Sequence, residues 1–180
     1  NGEQLRALDG KTYALDAAMC VIADENGVES LSGIMGGEAS GCSEATTDVL
    51  IESALWEPGN IARTGRQLGI NSDARYRFER GVDPNFMLPG LELATQMVLE
   101  LCGGQPSEIV VAGQADVPER AIDFPLTELK RLAGLSIALP EIKRVLARLG
   151  FFVAGAGPML KVAAPSWRPW ATSSAAASLP

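Results

Sequence analysis

The chain has 180 residues, 47% of them hydrophobic and 21% charged, which suits a globular protein of one medium domain or two small ones. Its formal net charge of −7 opposes a broad phosphate-binding surface, so any contact with nucleic acid must be local. The chain contains no histidine, which excludes Ser-His-Asp and Cys-His catalysis within it, and its three separated cysteines predict no metal site. Hydrolysis is left to carboxylates, backbone donors or a positioned water.

The sequence pattern predicts neither a membrane-spanning segment nor a secretory signal. No run of apolar residues approaches the roughly 18 that a membrane span needs, and the N-terminus lacks a basic stretch followed by an apolar core. We therefore expect no membrane partner. An odd number of scattered cysteines favours a reduced, cytoplasmic setting.

The first part of the chain alternates strand and turn signals. KTYAL and MCVIAD are rich in β-forming residues, ENG is a turn signal, and VESLSGIM is typical of a return strand. The stretch GIMGGEASGC predicts a loop because it is rich in glycine and lacks periodicity. TDVLIESALW predicts a strand that is covered on both faces, with Glu52 in its middle.

Two helices are predicted next. Pro58 suits a first helical turn and Gly69 a C-cap, so the first helix covers IARTGRQL. The second helix covers roughly residues 85–102 and ends at two glycines. Its apolar face is formed by Leu91, Ala94, Val98 and Leu101. SEIVVAG then predicts a closing strand.

Residues 114–120 are predicted to be a linker to a smaller unit over residues 121–169. In that unit AIDF predicts a strand, LTELKRLAG and LPEIKRVLARLG predict helices, and FFVA with MLKVAAP predicts a hairpin. Residues 170–180 are uncharged and rich in Ala and Ser, so a disordered tail is expected. The predicted fold class is α+β, with a mixed sheet and packed helices over residues 1–113 followed by a small α/β domain.

Several separated motifs resemble one known family. GIMGGEASG, IESALWEP and GINSDARYRFERGVDP, in this order, are similar to the β subunit of bacterial phenylalanyl-tRNA synthetase, and ELCGG and LGFFV with KVAAPSWRP agree. The resemblance covers roughly residues 8–169. It implies that residues 1–113 are the later part of a tRNA-editing domain and that the next, smaller domain begins near residue 118.

The same resemblance implies a function. The family supports ATP-dependent charging of tRNA(Phe), and its editing domain hydrolyses mischarged tyrosyl-tRNA(Phe). The synthetic site lies in the partner α subunit of an α2β2 heterotetramer, so Mg²⁺ and ATP belong to the whole enzyme, and no cofactor is expected in this stretch. Expected partners are thus the α subunit and tRNA(Phe).

Two departures from the family pattern qualify these expectations. The family's editing domain has a further N-terminal part, whose histidine has no counterpart here. After PSWRP the family continues into an acidic, magnesium-binding helix, whereas this chain has Trp170 and an Ala/Ser tail. A frame shift near Pro169 or a truncated gene is our hypothesis, which sequencing the DNA across roughly codons 165–175 tests. The alternative function is a non-catalytic fragment that binds tRNA or the α subunit, and a partial domain that does not fold stably is a further possibility.

The resemblance also implies an editing pocket formed by Gly36, Glu52, Ser72 and Ala74. In it Glu52 contacts the tyrosine hydroxyl, Gly36 leaves room for the ring, and Ser72 and Ala74 stand where the family carries threonine and alanine. A site that hydrogen-bonds the hydroxyl discriminates strongly, because phenylalanine leaves the acceptor unpaired. The ester is then hydrolysed by a positioned water, with no protein nucleophile.

Plainer interpretations compete with these roles. Gly36 and Gly37 suit a tight turn with positive φ, and Ser72 suits an N-cap for DARYRF. Glu52 suits an ion pair with Arg63, Arg66 or Arg77.

The arginines after Ala74 have two interpretations. Arg75, Arg77 and Arg80 form either a solvated face, with an internal pair to Glu79, or contacts to the terminal phosphates of tRNA. We assign none of them a catalytic role.

Overall fold

The computed structural model describes residues 2–114 and 121–168, which divide into two compact units. The first unit contains the described residues up to 82 together with residues 86–112. The second contains residues 83–85 and the described residues from 113 onward. Most of the predicted linker (115–120) and the predicted tail lie outside the described residues, and the predicted domain boundaries stay predictions.

The first unit begins with two small antiparallel sheets. Strands β1 and β2 form a hairpin, and β3, β4 and β5 form a three-stranded sheet in that order. Their bounds are Gln4–Arg6 (β1), Thr12–Ala14 (β2), Val21–Asp24 (β3), Gly27–Leu31 (β4) and Met35–Gly36 (β5). The early strands and the ENG turn are therefore confirmed. The predicted loop is partly wrong, because Met35 and Gly36 pair with β4.

Helices make up the rest of the regular structure in this unit. They are α1 (Pro58–Leu68), α2 (Asp73–Phe78) and α3 (Met87–Cys102). A 3₁₀ turn at Pro84–Phe86 precedes α3 where the chain passes between the two units. α1 begins as predicted with proline in its first turn, where Glu57 accepts from the amides of Gly59 and Asn60. It ends at Gly69, whose φ of 66° is left-handed, so the predicted C-cap is confirmed.

The core of the first unit lies where these sheets meet α1. Its buried side chains are Leu5, Leu15, Leu31, Ile34, Ile61 and Ile70. Trp56 and Phe78 are partly buried against this cluster. The core thereby joins the β4–β5 sheet, the segment before α1, and α2, which are the three parts of the chain that carry the predicted site residues.

Two predicted strands are wrong. Residues 47–56 and 107–113 form no strand, because no strand of the described residues pairs with either segment. Side chains hold the first segment instead: Trp56 packs on the core, and Ser53 Oγ donates to the carbonyl of Met87 at 2.9 Å. Apolar residues of both segments are also exposed rather than buried: Leu50 is 91% exposed and Val110 is 88% exposed.

The predicted apolar face of α3 is partly buried at three of its four residues. Leu91, Ala94 and Val98 are partly buried, whereas Leu101 is exposed. In the described residues no helix combines the length and apolar character that crossing a bilayer demands.

The second unit is a three-stranded antiparallel sheet with two helices. Its elements are β6 (Ala121–Pro125), α4 (Thr127–Ala133), α5 (Leu139–Arg148), β7 (Phe152–Ala154) and β8 (Met159–Ala163). The strand order is β6–β8–β7, so the predicted hairpin of β7 and β8 is confirmed and β6 is its third strand. Ile142, Leu160 and Val162 form the buried core.

The α+β class is confirmed. Within the described residues the strands form three separate antiparallel sheets rather than a single mixed sheet.

Candidate functional site

The glycine-rich turn between β4 and β5 forms one side of the candidate site. Its left-handed residue is Gly33, with φ 65°, and neither Gly36 nor Gly37 has a positive φ. The predicted tight turn is therefore wrong in position by three residues. At Gly33 an added Cβ would lie 2.7 Å from Cδ1 of Trp56 and 3.2 Å from a ring carbon of Phe78.

Gly36 is needed for close approach rather than for its backbone angle. It pairs with Ser30 of β4, and its carbonyl accepts from the amide of Leu8 at 3.0 Å. An added Cβ at Gly36 would lie 3.0 Å from Cδ1 of Leu8, and one at Gly37 would collide with the carbonyl oxygen of Glu29. Both glycines thus allow the β5 strand to lie tightly against its neighbours.

Ser72 holds two parts of the unit together. Its Oγ accepts from the amide of Arg75 at 3.1 Å, which makes it the N-cap of α2, and that interpretation is confirmed. The same hydroxyl donates to the carbonyl of Ile34 at 2.6 Å. Since Ile34 is two residues from Gly36, this bond brings the start of α2 next to the β4–β5 turn. Ala74 lies in the first turn of α2 and is partly buried.

The surface beside this cap contains an open depression of about 340 Å³. Ser72, Asp73, Arg75 and Glu79 line it together with Asn71 and Tyr76. Gly36, Glu52 and Ala74 do not line it. The depression is therefore not the four-residue pocket that the sequence predicts.

Arg75 is taken up by contacts within the chain. Its Nε donates to Glu79 Oε2 at 3.0 Å, and its Nη1 donates to the carbonyl of Ile70 at 2.6 Å and to Asn71 Oδ1 at 3.0 Å. The side chains of Arg75 and Glu79 are only 13% and 20% exposed. The internal Arg–Glu pair suggested by the sequence is thus present.

Arg77 and Arg80 lie on the exposed side of α2. Arg77 donates to the carbonyl of Asp73 at 3.1 Å, and Arg80 contacts Glu79 at 2.8 Å. The guanidinium of Arg80 also lies 3.8 Å from the ring centroid of Tyr76. Both side chains are more than half exposed. Whether they contact tRNA stays a prediction.

Glu52 differs most from its predicted setting. It lies in the irregular segment before α1 and is exposed, so the buried position in mid-strand is wrong. Among the described residues no hydrogen bond or ion pair involves its carboxylate, so the predicted ion pair with an arginine is wrong as well. Partial desolvation by neighbouring protein atoms nevertheless raises its pKa above the ordinary value.

The described structure therefore joins some of the predicted residues and leaves one apart. Gly36, Ser72 and Ala74 are linked through Ile34 and the start of α2. Glu52 belongs to the segment whose Trp56 packs on the same turn at Gly33, but no hydrogen bond ties it to the other three in the described residues.

Comparison with known proteins gives the family. Residues 1–103 match the B3/4 domain, and residues 122–170 match the tRNA synthetase B5 domain. Over 168 residues the chain is 71% identical to the phenylalanine–tRNA ligase β subunit of Bradyrhizobium diazoefficiens. The chain belongs to the phenylalanine–tRNA ligase β-subunit family. The resemblance that the motifs predicted is confirmed.

Other β subunits of phenylalanine–tRNA ligase agree. That of Nitrobacter winogradskyi is 68% identical and that of Brucella suis 60% identical, each over 93% of this chain. The chain spans about a fifth (21%) of the length of these curated relatives.

Proposed function

We propose that this chain forms part of a phenylalanine–tRNA ligase β subunit and carries a site that hydrolyses tyrosine from mischarged tyrosyl-tRNA(Phe). The observation that carries the proposal is the Ser72–Ile34 hydrogen bond at 2.6 Å. It holds the start of α2, with Ser72 and Ala74, against the turn that leads to Gly36.

Glu52 is the proposed reader of the substrate. Its carboxylate has no partner among the described residues, and a raised pKa makes it a stronger acceptor towards the phenol of tyrosine. Phenylalanine offers no donor, so binding it leaves the acceptor desolvated and unpaired. This difference gives selectivity for the tyrosyl ester.

Water is the proposed nucleophile. The chain has no histidine to activate a serine or cysteine, so a bound water attacks the ester carbonyl and the terminal ribose hydroxyl of the tRNA assists. Backbone amides of the glycine-rich loop stabilise the resulting oxyanion. Within this loop the amides of Gly37, Glu38 and Gly41 already donate to the carbonyls of Glu29, Arg6 and Glu38, so they are not the proposed oxyanion donors.

The remaining features concern the whole enzyme. We propose that the complete β subunit pairs with an α subunit in an α2β2 assembly in the cytoplasm, binds tRNA(Phe), and supports ATP- and Mg²⁺-dependent charging. In residues 2–114 and 121–168 no three His, Cys, Asp or Glu side chains lie close enough to hold a metal ion. No step above passes through a metal ion.

The test is deacylation of tyrosyl-tRNA(Phe) by the wild-type chain, by Glu52→Ala, and by Glu92→Ala. Glu92 is an exposed glutamate on α3 and serves as the matched control. We expect hydrolysis by the wild type and the control and a loss of about tenfold or more in Glu52→Ala. Equal rates in all three overturn the role of Glu52. A folded wild-type chain that hydrolyses nothing overturns the editing proposal.

A second candidate function is a binding or structural one, and the apolar surface of the first unit favours it. Leu88, Leu93, Met97 and Leu101 of α3 and Val110 are exposed. A chain that folds cooperatively and binds tRNA(Phe) or the α subunit without hydrolysis fits this function rather than editing.

A further inference from the structure

Arg75 occupies an unusual position for an arginine on a six-residue helix. It starts in α2, and its side chain lies back across α1 with 13% of its surface exposed. An arginine seldom becomes this buried without partners for its charge, and here Glu79 supplies a carboxylate at 3.0 Å. Its burial therefore indicates a specific structural task.

Gly65 makes this position possible. Gly65 is a buried residue in the interior of α1, where glycine costs roughly 1 kcal/mol of helix stability relative to alanine. A Cβ built there would overlap Nε and Cδ of Arg75. The absence of a side chain at Gly65 thus leaves the channel in which the guanidinium lies.

The guanidinium fixes the connection between α1 and α2. Its Nη1 donates both to the carbonyl of Ile70 and to the side chain of Asn71, the two residues that precede Ser72. The amide of the same arginine donates to Ser72 Oγ. Arg75 consequently holds Ser72 from both sides, by its side chain on one and its backbone on the other.

We infer that Arg75 is a positioning residue for the editing site, which acts through Ile70, Asn71 and Ser72 and depends on Gly65. The inference rests on the proposed editing function. Arg75 fixes the place of the Ser72 hydroxyl and of Ala74 relative to the turn at Ile34, and it does so through contacts within the chain. A misplacement of about 1 Å in a positioned group is enough to cost a large factor in rate.

The kinetic test compares Arg75→Met, Arg75→Lys and Gly65→Ala in deacylation of tyrosyl-tRNA(Phe). We expect Arg75→Met and Gly65→Ala each to lower kcat about tenfold with KM within about twofold, since binding groups remain and orientation is lost. Lysine lacks the planar guanidinium that donates to Ile70, Asn71 and Glu79 together, so the kcat of Arg75→Lys is expected to lie between those of the wild type and Arg75→Met. The double variant Arg75→Met with Gly65→Ala is expected to have a kcat no lower than that of either single variant, because alanine at Gly65 already displaces the guanidinium.

Two substitutions control for the loss of a positive charge and for the addition of a methyl group at a glycine. Arg66→Met removes an exposed arginine from the same helix as Gly65, and Gly157→Ala adds a methyl where nothing lies within 4 Å. Both are expected to keep wild-type kcat. Wild-type kcat in Arg75→Met, or additive losses in the double variant, overturn the inference.

Hydrogen exchange keeps the inference testable if the wild-type chain hydrolyses nothing, an outcome that rejects the proposed function alone. We expect the amides of Arg75 and Tyr76, which donate to Ser72, to exchange about tenfold faster or more in Arg75→Met and Gly65→Ala. The amide of Ser32, which donates to the carbonyl of Cys20 just before β3, reports whether the fold is intact, and its exchange is expected to stay unchanged. Unchanged exchange at Arg75 and Tyr76 overturns the positioning role of Arg75.

Discussion

The hydroxyl of Ser72 donates to the carbonyl of Ile34 at 2.6 Å, across 38 positions of the chain. The same oxygen accepts from the amide of Arg75, so one side chain both begins α2 and fastens it to the β4–β5 turn. The structural and functional interpretations of Ser72 are therefore compatible. Because Ser72 both caps α2 and bonds to Ile34, it determines the position of the start of α2 relative to the β4–β5 turn.

Ser72→Ala is expected to lower the free energy of unfolding by roughly 2 kcal/mol. The variant loses the N-cap of α2, which is worth about 0.5–2 kcal/mol, and leaves the buried end of the Ile34 carbonyl without its donor. Urea denaturation measures the change, and Ser72→Thr, which keeps a hydroxyl, serves as the control. An alanine variant as stable as the wild type contradicts the tethering role.

Gly33→Ala is expected to destabilise the first unit more than Gly10→Ala does. Both glycines have positive φ, 65° and 77°, so both variants carry a backbone cost of about 1–2 kcal/mol. Only at Gly33 does the methyl meet Trp56, whereas nothing lies within 4 Å of one at Gly10. Equal losses in thermal or urea denaturation show that Trp56 does not pack over this turn.

Glu52→Gln is expected to stabilise the folded chain above about pH 4.5 and to leave it unchanged below. Desolvation raises the folded-state pKa of Glu52 above its ordinary value of 4.5, so between these two values the folded chain binds more protons than the unfolded one. Stability therefore falls as pH rises through that window, and the penalty persists at neutral pH. Glutamine does not ionise, so the Glu52→Gln variant does not carry this desolvation penalty.

Denaturation of Glu52→Gln and the wild type at about pH 4 and pH 7 measures this difference. Glu92→Gln controls for the general loss of a negative charge. A stability difference that is the same at both pH values contradicts desolvation as the cause of the raised pKa of Glu52.

Ser32→Ala is expected to raise the free energy of unfolding by about 1 kcal/mol. Ser32 is fully buried, and its hydroxyl has no hydrogen-bond partner among the described residues. Its amide, which donates to Cys20, is unaffected by the substitution. Ser30→Ala in β4, two residues earlier, is the control. A loss of stability in Ser32→Ala indicates instead that a buried water satisfies the hydroxyl.

Local signals predicted most of the fold. Pro58 and Gly69 delimit α1 because their backbone angles suit a helix start and a left-handed end, and the ENG turn joins β3 and β4 because its residues tolerate such a turn. The strands predicted for residues 47–56 and 107–113 were wrong for the same reason. A strand needs a hydrogen-bonded neighbour, and β-forming residues alone do not say where that neighbour is.

The candidate site was predictable only in part. Ser72 and Gly36 are recognisable from their motifs, and the N-cap role of Ser72 follows from its place before DARYRF. The link from Ser72 to Ile34 depends on tertiary packing and has no signal in the sequence. Arg75 over Gly65 was missed, although one clue was present: a glycine inside an otherwise regular helix often marks a close approach.

The most direct test of the account is the preference of the chain for tyrosyl- over phenylalanyl-tRNA(Phe). It is measured as the ratio of the two kcat/KM values for deacylation, in the wild type and in Glu52→Ala. We predict a wild-type preference on the order of 10²-fold or more that falls at least about tenfold in Glu52→Ala, because only tyrosine donates to the Glu52 carboxylate. A preference that survives the substitution unchanged contradicts the proposal that Glu52 reads the substrate.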